Sequence, residues 1–123
     1  MTLHKRQYLF EAEVLRIVDG DTIDVRVDLG FETDRRMRLR FARIDTPELN
    51  SRDPDVRVLA QQAKRFVEVS CPVGPTILFY SVRTKKDGFG RYFAEIFLDP
   101  REPISLNQIL LDEGLAVLYE KGK

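Results

Sequence analysis

Two acidic motifs flank an arginine-rich stretch: Asp19-Gly20-Asp21-Thr22, then Arg40, then Asp45-Thr46-Pro47-Glu48. Well downstream comes Asp87-Gly88-Phe89-Gly90-Arg91. These are the residue types needed to cut a phosphodiester. Carboxylates hold a hard, oxygen-seeking cation. Guanidinium groups grip phosphate oxygens in pairs and stay charged at any working pH. In phosphoryl transfer most of the catalysis is positioning, plus stabilisation of negative charge as it spreads over the phosphate.

Asp21 and Asp45, with a backbone carbonyl and waters, would make an oxygen-only shell suited to calcium or magnesium. Arg40 is central in a strand that alternates apolar and basic residues. Arg91 follows a Gly-Phe-Gly turn whose small residues let a phosphate approach the backbone. Glu48 lies three residues past Asp45, beyond a stiff Thr-Pro, where a carboxylate could orient or deprotonate a water. Each feature has a plainer explanation when taken alone. Asp-Gly-Asp-Thr is a common turn. Arg35, Arg36 and Arg38 read as a solvated strand face, and Glu48 as a loop glutamate.

Other chemistries are excluded. His4 is the only histidine and Cys71 the only cysteine. The chain therefore carries no Ser-His-Asp or Cys-His triad, no intrachain disulfide and no zinc site built on several His or Cys ligands. Cys71 reads as a small buried hydrophobe. Met1 to Phe10 has no apolar signal region and no stretch is long and apolar enough to span a membrane, so a cytoplasmic protein with no membrane partner is expected. The 20 basic and 20 acidic side chains cancel, without the basic excess usual in nucleic-acid binders.

The elements that must position these residues follow from periodicity. Tyr8 to Val18 alternates as a first strand, and Asp19-Gly20-Asp21 is a hairpin turn with Gly20 free to take positive φ. Ile23, Val25, Val27 and Leu29 make the buried face of a second strand; Met37, Leu39 and Phe41 that of a third. The parity slips at Arg43 and Ile44, as at a bulge or sharp barrel bend. Asp53 and Pro54 begin a helix whose apolar stripe is Val56, Leu59, Ala60, Ala63, Phe66 and Val67. Thr76 to Arg83 and Tyr92 to Leu98 are a strand pair around a turn at Lys85 to Gly90. Ser105 with Gln108 forms a capping box for a short helix, Gly114 stops it, and Leu115 to Tyr119 is a last apolar segment. Three strands, a helix, two strands and a short helix suit a mainly β (α+β) chain of 123 residues: one domain, a five-stranded Greek-key barrel of the OB type with two packed helices.

With these motifs in order, the chain resembles the staphylococcal nuclease (thermonuclease) family. The matching residues are Val18 to Thr22, Arg40 to Glu48, Asp87 to Arg91, and Asn107 with Glu113-Gly114-Leu115-Ala116. The resemblance runs from about Val14 to Tyr119. It implies the OB-fold barrel and calcium-dependent hydrolysis of DNA or RNA at the 5′ oxygen, leaving 3′-phosphate ends; another divalent cation could serve. It also implies roles. Asp21 and Asp45 would ligate the metal by side chain and Thr46 by its carbonyl, with Asp19 supporting them from behind. Arg40, Glu48 and Arg91 would be catalytic: Glu48 beside the attacking water, both arginines on the phosphate, Arg91 also favouring departure of the 5′ oxygen. Phe89 stands where the family often has tyrosine, and Gly88 where it often has lysine. Phe89, Tyr92 and Tyr119 are the candidates for stacking on nucleic acid. The family's C-terminal third helix has no counterpart before Lys123. A monomeric nuclease is expected; the alternative is a non-catalytic nucleic-acid- or protein-binding module on the same barrel.

Overall fold

A computed structural model describes residues 8–86 and 90–119. Strands β1 (Tyr8–Asp19), β2 (Thr22–Gly30) and β3 (Thr33–Phe41) form an antiparallel meander. After the two-residue β4 (Ile44–Asp45) comes helix α1 (Pro54–Ser70), then β5 (Thr76–Lys86), β6 (Tyr92–Phe97), helix α2 (Leu106–Asp112) and the two-residue β7 (Val117–Leu118). The five long strands close into a barrel in the order β1-β2-β3-β6-β5, with β5 back on β1, and β4 pairs with β7 beside it. Closure is made by β3 and β6, which run parallel from Leu39 opposite Tyr92 to Phe41 opposite Ala94. Every other pairing among the described residues is antiparallel. The five-stranded barrel with two helices is the architecture expected from the strand pattern.

Alternation builds the core. Val14, Ile23, Val25, Leu39, Phe41, Phe79 and Ile96 point inward and are almost wholly buried. Burial of each such side chain is worth about 1.5–3 kcal/mol. α1 covers one end through Ala60, Ala63 and Val67, while α2 adds Leu106 and Leu110. Cys71 is buried at the end of α1, and burial pushes its thiol up to about 11. No helix among the described residues is long and apolar enough to cross a membrane.

The helix signals read as expected in part. Asp53 caps α1 by accepting from the Asp55 amide, with Pro54 in the first turn. Ser105 caps α2 by accepting from the Gln108 amide at 3.1 Å. The reciprocal half of the capping box is not made, because the Gln108 side-chain amide instead donates to Asp112, one turn on. Leu59 is 50% exposed rather than part of the buried stripe. α1 packs on one side only, and the narrow Ala60-Ala63-Val67 row fills that side. Leu29 is exposed because β2 outruns the core there, and the last apolar segment leaves Val117 and Leu118 exposed on β7. The short β4 and β7 are not legible in the sequence: two residues carry no period.

Candidate active site

The first acidic motif is the β1–β2 turn. Gly20 does not use the positive φ open to it in a turn; it is glycine for lack of room. A Cβ there would lie 2.8 Å from the Ala63 Cβ and 2.9 Å from the Thr46 hydroxyl oxygen. The bare backbone thus lets three elements meet: the turn, helix α1 and the loop after β4. Asp21, next in line, is buried and aimed into that junction. Its carboxylate accepts from the Thr22 hydroxyl at 3.0 Å and from the Thr46 amide at 3.0 Å. Asp19 accepts from the Asp21 amide at 3.1 Å.

The second motif hangs on the expected break in parity. Arg43 takes φ of 72°, a left-handed conformation that is costly for a side chain with a Cβ. The kink lets Ala42 and Ile44 both be buried while Arg43 turns out to pair with Glu95. Asn107 secures it from beneath. This fully buried amide donates to the carbonyls of Ala42 and Ala94, at 2.9 and 3.0 Å, and accepts from the Ile96 amide at 3.0 Å. α2 is thereby tied to the ends of both β3 and β6.

Arg40 lies between the two motifs. It is 5% exposed, and its guanidinium donates to the carbonyls of Phe41 and Ile44, each at 2.8 Å. Its other terminal nitrogen bridges two carboxylates: Asp45, by a short hydrogen bond, and Asp21 at 3.3 Å. The Tyr119 ring stacks on this guanidinium with 5.9 Å from Cζ to the ring centre, anchored by a hydrogen bond from the Tyr119 amide to the Arg43 carbonyl.

Asp19, Asp21, Arg40, Asp45, Thr46, Glu48, Arg91 and Tyr119 line one open cleft of about 610 Å³. The β1–β2 turn, the loop after β4, the approach to β6 and the barrel's closing pair of strands therefore bring together residues far apart in the chain. Tyr92 is not among them. It packs against the core with Arg35 over its ring, because the pleat that turns Arg91 into the cleft turns its neighbour away. Phe93, two residues from Arg91, lines the cleft in its place, and strict alternation from Arg91 would have identified it. Asp87, Gly88 and Phe89, expected in a turn, lie outside the described residues.

The electrostatics are those of an acidic surplus: Asp19, Asp21, Asp45 and Glu48 face Arg40 and Arg91. Burial, then the hydrogen bond and charge of Asp21, push Asp19 up to about 6. Burial alone would raise Asp21 too. The hydrogen bond with Asp19, the Arg40 charge and the Thr46 and Thr22 donors outweigh it and hold Asp21 below the ordinary carboxylate value. Asp45 is raised, by burial first and then against the pull of Arg40 by the negative charges of Asp21 and Glu48. No three acidic, histidine or cysteine side chains among the described residues converge as a ready-made metal cage. A hard cation would use the two aspartates, the Thr46 carbonyl and water. The unneutralised charge and the all-oxygen donor set fit such an ion. The Thr46 hydroxyl, buried without a hydrogen-bond partner, is a further oxygen at this junction.

Comparison with known proteins gives the same reading of the chain. The family model for staphylococcal nuclease homologues matches residues 38–123, which hold Arg40, Asp45, Thr46, Glu48 and Arg91. An uncharacterized protein of Methanocaldococcus jannaschii is 30% identical over 134 residues, covering 94% of this chain and 61% of that one. The thermonuclease of Staphylococcus hyicus is 31% identical over 104 residues, covering 85% and 56%. An uncharacterized protein of Bacillus anthracis is 28% identical over 108 residues, covering 88% and 47%. The chain thus spans about half to three fifths of the length of these relatives. A match extending from the middle of β3 through both helices, on a barrel of the expected closure, places this chain in the family of staphylococcal nuclease homologues.

Proposed function

We propose that this protein is a calcium-dependent nuclease that hydrolyses DNA, RNA or both at the 5′ oxygen and leaves 3′-phosphate ends. The observation that carries the reading is the convergence of Asp21, Arg40, Asp45, Glu48 and Arg91 on one open cleft. Asp21 and Asp45 would hold calcium through their side chains and Thr46 through its carbonyl. When bound, the ion supplies positive charge beside the phosphate and acidifies water. The similarity to a thermonuclease supports the same reading.

In this proposal a water oxygen bonds to phosphorus as the bond from phosphorus to the 5′ oxygen breaks. Glu48, exposed at the cleft rim, takes the proton that water loses. Arg91 and Arg40 hold the non-bridging oxygens as their charge grows, and Arg91 faces the departing 5′ oxygen, which leaves with a proton from solvent. Both terminal nitrogens of Arg40 already have partners. To grip a phosphate through a terminal nitrogen, Arg40 must exchange a carboxylate for a phosphate oxygen, and Asp45 is the partner it can release: Asp45 is the more exposed of the two acids.

The occupied state of Arg40 is also what a non-catalytic binding module would show. One assay separates the readings. Single-stranded DNA and RNA are incubated with the protein and calcium, with and without chelator. Cleavage abolished by chelator is the expected result. Binding without turnover in calcium, magnesium and manganese alike would sink the enzyme reading in favour of the module.

A further inference from the structure

Beyond the cleft, the outer face of β1, β2 and β3 carries a second charged surface. Alternation along β3 puts Arg36, Arg38 and Arg40 on one side, while Leu39 and Phe41 enter the core. On β2, Thr22 lies opposite Arg40, Asp24 opposite Arg38 and Arg26 opposite Arg36. Arg16 of β1 lies opposite Asp24 from the other side. Two of these arginines are neutralised. Arg38 makes a bidentate pair with Asp24, at 2.7 and 3.1 Å, and Arg26 pairs with Glu13 at 2.9 Å. Arg16 and Arg36 are exposed, have no ion-pair or hydrogen-bond partner among the described residues, and flank the same shallow depression above Val25 and Met37.

This arrangement is unfavourable in isolation. Like charges directly opposite on an antiparallel pair destabilise it; Arg26 faces Arg36, and the Glu13 carboxylate that offsets this pair is spent on Arg26, leaving Arg36 without one. The row also has direction. It begins at Arg40 in the cleft and ends where Asp28 faces Asp34, with the acidic Glu32 just beyond. Successive outward residues of a strand are about 6.6–6.8 Å apart, so Arg40, Arg38 and Arg36 of β3 repeat close to the phosphate spacing of an extended single strand, while Arg16 flanks this row from β1, two strands away across Asp24.

We propose that Arg38, Arg36 and Arg16 form a phosphate track: a single strand of DNA or RNA with its scissile phosphate in the cleft lays its adjoining backbone along this face and departs before the acidic tip. The position of the cleft end rests on the nuclease reading. Recognition is by backbone charge, so the track is indifferent to base sequence.

The test is fluorescence anisotropy with a labelled thymidine oligomer and with a dinucleotide, in chelator so that nothing is cut, over a salt series. The Arg16→Gln/Arg36→Gln double variant should bind the oligomer about tenfold more weakly at low salt. Its slope of log affinity against log salt should be shallower by about 1.4, roughly 0.7 for each phosphate that is no longer neutralised. Dinucleotide binding and the melting temperature should not move, and lysine at both positions should restore the slope. Asp24→Asn, which releases Arg38, should tighten oligomer binding. An unchanged slope, an equal loss for the dinucleotide, or no binding of the oligomer by the wild type would overturn the track. So would weakened affinity for anionic lipid vesicles with oligomer binding unaffected. If these variants behave as expected yet calcium elicits no cleavage, the nuclease reading fails and the track stands. If calcium elicits cleavage and the salt slope is unmoved, the reverse holds.

Discussion

Asp19, Asp21, Arg40 and Asp45 are assigned by what they touch, Glu48 and Arg91 by their place in the cleft. Arg91 directly precedes the strand that closes the barrel and faces the cleft. In the nuclease reading, Arg91→Ala should slow single-turnover cleavage about 10²–10³-fold, with a smaller change in oligonucleotide affinity, since this guanidinium acts most strongly as charge develops. Asp19 makes a different prediction, readable without substrate. Its folded-state value of about 6 lies above the 3.8 of an unperturbed aspartate, so the folded protein keeps a proton that the unfolded chain releases between those limits. That contribution is fully present below 3.8 and is lost as pH rises through about 6. In chelator, the urea midpoint should therefore fall across that window, and Asp19→Asn should flatten the fall. Asp45, raised in the same sense, should leave a residual slope. Asp21 titrates lower and adds nothing there.

Elements decide whether those residues meet. The sequence shows which strands exist, because alternation at Ile23, Val25, Leu39 and Phe41 is a local property. It also shows the break at Arg43, because parity is counted along the chain. It conceals why Gly20 is glycine. A turn explains Asp-Gly-Asp-Thr locally, whereas the actual constraint comes from Ala63 and Thr46, distant in sequence. Tyr92 and Phe93 are ambiguous for a related reason: a turn just before them leaves the phase of the pleat open until Arg91 is placed. Two substitutions test the junctions. Gly20→Val should destabilise by about 1–3 kcal/mol through overpacking and displace Asp21, measured as a lower urea midpoint with weaker calcium binding by calorimetry. Asn107→Leu keeps volume but strips the Ile96 amide and the Ala42 carbonyl of a partner. It should cost about 1–3 kcal/mol for each group left unsatisfied, read as a lower melting temperature.

At the scale of the whole molecule, the neutral net charge conceals local imbalance: acid outnumbers arginine in the cleft, while on the outer face of the meander Arg16 and Arg36 have no carboxylate partner among the described residues beside the paired Arg38–Asp24 and Arg26–Glu13. Composition averages this away, and only strand register restores it. The closing pair has a temporal consequence as well. β1, β2 and β3 are hairpin neighbours and can pair early, whereas β3 meets β6 only after α1 and β5 have been laid down between them. Non-local parallel pairing is slow, because the chain gives up loop-closure entropy before the pairing repays it. Arg40 belongs to one strand of that seam, and Arg91 leads directly into the other. A refolding chain should thus recover strand circular dichroism before it recovers phosphate binding, followed by stopped-flow mixing with a fluorescent nucleotide. Coincident recovery of the two signals would refute this order. The seam that shuts the barrel makes competence the last property the chain acquires, so a partly folded molecule would carry every residue of the cleft and still lack the site.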